Sequence, residues 1–175
     1  MLLSISKLIT EEQAKDYLNS LEDFNNTLEM QKEFSIDLKL SKDKDGKYQP
    51  FLIEGDWMGC VEREKDGQKY VIHYIQVMRK VDGNRVPVMV SMYGFQSMHT
   101  QLKKLGVKEC MPISFRYSGK LPVPNSKDRT FHSCYIKKLD ESALSNEAQE
   151  NPMSDIEATE QVYKDLNKAS DDLPF

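Results

Sequence analysis

The sequence is poor in cysteine, in long apolar runs and in enzyme signatures, and each shortage removes a class of protein. Its three cysteines, Cys60, Cys110 and Cys134, are odd in number and far apart, so neither a disulfide framework nor a CxxC zinc site can be written from them. No stretch of 18 apolar residues occurs, which excludes a spanning helix. The opening MLLSISKLIT has no basic start and no small-residue cleavage site, so a cytoplasmic protein is expected rather than an exported one. A Walker-type phosphate loop, a GxSxG elbow, an HExxH pair and a GxGxxG fingerprint are all missing, which leaves the common motif-bearing enzyme classes without support. His73, His99 and His132 have no zinc-finger spacing among themselves or with the cysteines. No catalytic residue, metal ion or cofactor is therefore expected.

What is present is a strong sorting of charge. The 175 residues carry 24 Lys and Arg against 28 Asp and Glu, a formal net charge of −4. Residues 1–40 hold 4 basic and 8 acidic side chains, residues 41–138 hold 18 and 10, and residues 139–175 hold 2 and 10. Of the 16 aromatic residues, 11 also fall in 41–138. A basic, aromatic body wears an acidic tail, and a Lys-rich solvated surface alone would not segregate charge in this way.

Residues 1–47 read as a helical and extended segment. Thr10 and Gln13 form a capping-box pattern, and Ala14, Tyr17, Leu18 and Leu21 recur at helical spacing, which predicts a helix over 11–20. Beyond it, Phe24, Leu28 and Met30 would continue a helix, but Asn25-Asn26-Thr27 is a poor helix interior and Phe34, Ile36, Leu38 and Leu40 alternate as a strand would.

From residue 48 to 138 the dominant period is two, broken by turn chemistry. Strands are expected over 51–62, 69–81, 85–93, 111–117 and 131–139, with turns at Asp66-Gly67 and Asp82-Gly83-Asn84 and a helix over 96–105 closed by Gly106. Five short strands with a helix between the third and fourth is the element order of an OB-fold, a partly open Greek-key barrel that commonly binds single strands. The expected fold is mainly β, in the α+β class. The acidic segment 139–169 cannot bury enough apolar area to offset about 1–2 kcal/mol of backbone entropy per residue and is expected to be disordered.

The residues that would follow a nucleic acid are Lys69, Arg79, Arg116, Lys120 and Arg129, on the strands or in the two loops beside them. Trp57, Tyr70, Tyr74 and Tyr93 are the rings best placed to stack on bases, Trp57 because Gly55 and Gly59 leave room beside it and Tyr93 because it opposes the Val86, Val88, Val90, Met92 face. Phe131 and Tyr135 come next, while Phe115 and Tyr117 share a face with Ile113 and look internal.

The last six residues, Ser170-Asp171-Asp172-Leu173-Pro174-Phe175, resemble the acidic tip of bacterial single-stranded DNA-binding proteins. The resemblance covers those six positions. It implies that Asp171, Asp172, Leu173, Pro174 and Phe175 dock onto replication, recombination or repair proteins. The tip has two aspartates rather than three, the linker is acidic rather than Gly- and Gln-rich, and an amino-terminal helical segment is added. The chain is thus more similar to a phage-encoded member than to a host's own, acting in the bacterial cytoplasm. The expected partners are single-stranded DNA and the enzymes that the tip recruits, with no membrane; a homo-oligomer is left open. The rival reading is a non-catalytic adaptor that competes with the host protein for tip-binding partners.

Overall fold

The computed structural model describes residues 2–24 and 26–139. Beyond Leu139, the expected disordered linker and the tip at 170–175 lie outside the described residues. The elements are α1 (Ile5–Leu8), α2 (Glu11–Glu22), α3 (Leu28–Glu33), β1 (Ile36–Asp37), β2 (Phe51–Lys65), β3 (Gln68–Val81), β4 (Asn84–Tyr93), α4 (Gln96–Leu105), β5 (Met111–Pro122) and β6 (Thr130–Lys138).

The capping box forms as the residues predict: Gln13 N–H donates to Thr10 Oγ1 at 3.1 Å, and Thr10 N–H donates to Gln13 Oε1 at 2.9 Å. The helix that follows buries Ala14, Tyr17 and Leu21. Helix and strand stood as alternatives after it, and both form in succession. Thr27 accepts a hydrogen bond from Met30 N–H and starts α3, so the alternation that follows is left only the two residues of β1. At 66–67 and 82–83 both residues have positive φ, the two-residue hairpin turn whose twist matches the strands, which is why Asp-Gly stands at each.

The strands make one six-stranded sheet in the order β1-β4-β3-β2-β5-β6, mixed because β1 runs parallel to β4 while the other pairs are antiparallel. The chain is mainly β with a few helices, but the expected five-stranded barrel is not closed, since β4 and β6 do not pair among the described residues. Both edges are otherwise occupied. Leu38 N–H donates to the Ser91 carbonyl as β1 takes the edge of β4. Along β6, the Gln101 side chain donates to the Cys134 carbonyl at 2.8 Å and accepts from Ile136 N–H at 2.7 Å, while Ser97 donates to the His132 carbonyl. A side-chain amide on α4 thus stands where the next strand would, and a helix covers the edge.

The inner face carries Ile53, Ile75, Val77, Val88, Val90, Ile113, Phe115, Tyr117 and Ile136, all buried, together with Met98 and Leu102 of α4. The opposite face carries Tyr70, Tyr74 and Tyr93, the rings expected to stack on bases. The amino-terminal segment covers its middle: Met89 and Tyr74 are buried there, and Ile9, Ala14, Tyr17 and Leu21 belong to the same core. Arg79 Nε donates to the Ile9 carbonyl at 3.0 Å, Asp82 N–H donates to Glu11, and Lys15 pairs with Asp82 at 3.1 Å. Residues 2–40 therefore use the apolar positions that period-two alternation leaves on the second face of a sheet.

Candidate nucleic-acid interface

The four rings singled out in the sequence fall on two faces. Tyr70, Tyr74 and Tyr93 lie on the outer face, as the register Ile72↔Tyr93 and Tyr74↔Ser91 requires. Trp57 sits opposite Ile75 and points inward. The glycines beside it make room for the protein's own atoms: Gly55 lies against the Gln76 carbonyl and Gly59 against the Glu109 carboxylate.

The outer group is split by burial. Tyr93 is 56% exposed, and its ring centroid lies 5.3 Å from that of half-buried Tyr70. Arg63 is in register with Tyr70, and Lys69 next to it is exposed, paired at 3.2 Å with an equally open Glu62. Tyr74 is only 6% exposed, with the Lys32 ammonium 5.4 Å from its ring centre, so the expected stacking role is corrected: α2 and α3 cover it. Arg79 is likewise withdrawn from a groove by its bonds to the Ile9 and Lys80 carbonyls.

The cations of the second loop remain outward. Lys120, Lys127 and Arg129 are exposed, and Arg116 is half-buried opposite Leu52 and Tyr135 on the outer face. The structure therefore gathers Tyr70 and Tyr93 on the outer face at one end of β3 and β4, while alternation turns Lys69 to the other face. Arg116 and Lys120 belong to β5 and Arg129 to the loop between β5 and β6, and Trp57 is a partly buried residue of the inner face.

Two ring clusters on the inner face escaped sequence reasoning. In the first, Trp57 Nε1–H donates to His73 Nδ1 at 3.0 Å, and His73 Nε2 meets His99 Nδ1 at 3.0 Å. An indole can only donate, so His73 Nδ1 must accept, its proton sits on Nε2, and His99 Nδ1 accepts in turn. A proton added to His73 would set two donors face to face. Burial first, and His99 second, push the His73 pKa down to about 3; burial also lowers that of His99.

The second cluster lies where β6 meets the loop before β2. Phe95 stacks on His132 at 4.8 Å between centroids and on Tyr117 at 5.5 Å, while Tyr48 meets the His132 ring edge-on at 5.2 Å. The Tyr117 hydroxyl lies 2.8 Å from His132 Nδ1. Tyr48, Phe95 and His132 are each only partly buried. The Lys42 ammonium stands 4.8 Å from the Tyr48 ring centre, and Lys120 is in register with His132, whose pKa is lowered by burial and then by that ammonium. Phe95 occupies the N-cap of α4 and makes no capping bond, where Ser, Thr, Asp or Asn would contribute about 1 kcal/mol.

Local geometry holds this cluster in place. The loop at 41–49 is folded back by the Lys42↔Tyr48 bridge, and Asp43 Oδ1 accepts from Asp45 N–H and Lys47 N–H. The β5 bulge at Gly119 has φ 96°, and a Cβ there would stand 3.3 Å from the Tyr48 carbonyl. Glycine supplies both that backbone conformation and the close approach. The sequence signal for this site is weak: His132 alternates with Cys134 and Ile136 as a core residue would, and Tyr48 and Phe95 lie outside the expected strands.

An open groove of about 610 Å³ lies elsewhere, between α2 and β1, with Asp16, Tyr17, Phe34, Asp37 and Lys39 in its walls. Its two carboxylates disfavour a phosphate chain. Among the described residues there is no group of three or more His, Cys, Asp or Glu placed to hold a metal, and no helix long and apolar enough to cross a membrane. Comparison with family models, with curated proteins and with solved structures gave no match.

Proposed function

We propose that this protein binds single-stranded DNA without strong sequence preference during replication, recombination and repair, and recruits partner enzymes through Asp171, Asp172, Leu173, Pro174 and Phe175. In this reading strands β2 to β6 are an OB barrel left open between β4 and β6, with α4 in the gap. The observation that carries the proposal is the Tyr70–Tyr93 pair, a ring 56% exposed at 5.3 Å from its neighbour, with Arg63 in register with Tyr70. A soluble surface has little reason to expose two adjoining tyrosines, whereas a base can stack on either, contributing about 1–3 kcal/mol whatever its identity. The excess of 18 basic over 10 acidic side chains in 41–138 supplies attraction for phosphates.

Fluorescence anisotropy of a labelled oligothymidine, run at several salt concentrations beside a duplex of equal length, tests the reading. Expected are sub-micromolar binding of the single strand, steep weakening with salt, little binding of duplex and about tenfold weaker binding by Tyr93→Leu. No binding by the unaltered protein would falsify the reading and favour the adaptor. Removal of 170–175 is expected to tighten DNA binding modestly, by taking away acidic competition, and to abolish partner recruitment.

A further inference from the structure

We propose that Tyr48, Phe95 and His132 form a second stacking site for bases of single-stranded DNA, with Lys42 and Lys120 holding the adjoining phosphates. The inference rests on the single-strand-binding reading above and adds to it a site on the opposite face of the sheet from Tyr70 and Tyr93.

Three observations converge. The rings already lie in the near-parallel arrangement that a base would extend, 24° between Phe95 and His132 and 20° between Phe95 and Tyr117. Two lysines stand at this cluster, one over Tyr48 at 4.8 Å and one in register with His132, which suits an anion, while the Asp43 carboxylate of the same loop is engaged by the Asp45 and Lys47 N–H groups. The loop that brings Tyr48 in is ordered by Asp43 and by the Gly119 bulge, so little freedom is lost when a ligand arrives. Packing alone would be served as well by aliphatic residues at three partly exposed positions, and α4 would be better capped by a polar residue than by Phe95.

The test is photo-crosslinking of the full-length protein to an oligonucleotide carrying 5-iodouracil, with the modified residues identified by mass spectrometry, beside anisotropy on two variants. Crosslinks at Tyr48, Phe95 or His132 and about tenfold weaker binding by Tyr48→Leu are expected. The double variant Lys42→Gln, Lys120→Gln changes only exposed side chains, so it stays informative even where Tyr48→Leu unfolds. Its slope of log affinity against log salt is expected to be shallower by about 1.4, the share of two phosphate contacts on a single strand. Crosslinks confined to Tyr70 and Tyr93, with an unchanged slope in the double variant, would overturn this site and leave single-strand binding intact. Failure of the unaltered protein to bind at all overturns both.

Discussion

The two ring clusters on the inner face are built from the same kinds of side chain and differ in the burial of the histidine at their centre, complete for His73 and partial for His132. Trp57 and His99, themselves partly buried, flank the fully buried His73 in a chain of donors and acceptors in which each proton has one place to be. Tyr48, Phe95 and His132 stack beside lysines and stay partly open to water. Their chemistry does not separate them; their cover does. Where strands β2 and β3 enclose a histidine it becomes a neutral structural element, and where the sheet runs out at β6 another becomes part of a surface.

The sharpest way to break the comparison is His73→Leu. That change strips the Trp57 indole and His99 Nδ1 of their shared partner inside the protein, and a loss of about 3 kcal/mol is expected in urea unfolding. Acid should act on the same cluster. Because folding lowers the His73 pKa from 6.5 to about 3, the unfolded chain takes up the proton first. That contribution to stability is complete above pH 6.5 and drains away as pH falls toward 3, by at most about 1.4 kcal/mol per pH unit. Urea midpoints measured from pH 7 to 4 should show the decline, and His73→Leu should flatten it. A third, smaller effect belongs to the other cluster: His132→Leu deprives the Tyr117 hydroxyl of a ring nitrogen, one partner lost where His73→Leu strands two, so about 1.5 kcal/mol is expected by the same method. The smallest is Lys42→Gln, which should leave the unfolding free energy in urea almost unchanged, within about 0.5 kcal/mol, while weakening DNA binding. Equal losses for His73→Leu and His132→Leu would erase the distinction between the clusters.

Much of the architecture was legible in the residues. The Thr10 capping box, the Asp-Gly turns and the helix over 96–105 ending at Gly106 stand where local chemistry places them, because each is decided within a few residues. Strand lengths were less legible: β5 runs to Pro122 rather than 117 because the Gly119 bulge carries pairing past Tyr117. Of the candidate site, Tyr70 and Tyr93 were found by alternation. Tyr74 was lost to a cover that lies more than 40 residues earlier in the chain, and Tyr48, Phe95 and His132 were missed because no periodicity links positions that far apart.

By itself the sequence determined the helix after Thr10, the five long strands and the helix over 96–105, that each strand has two unlike faces, and that basic charge and rings share one region. Only the tertiary structure decided which of those faces meets water. Alternation reports that two faces differ, but whether a face is covered depends on distant segments, here residues 2–40 over Tyr74 and Met89 and α4 over the edge of β6. Cover sets the dielectric around a side chain, and the dielectric separates His73, held neutral inside, from His132 at the rim.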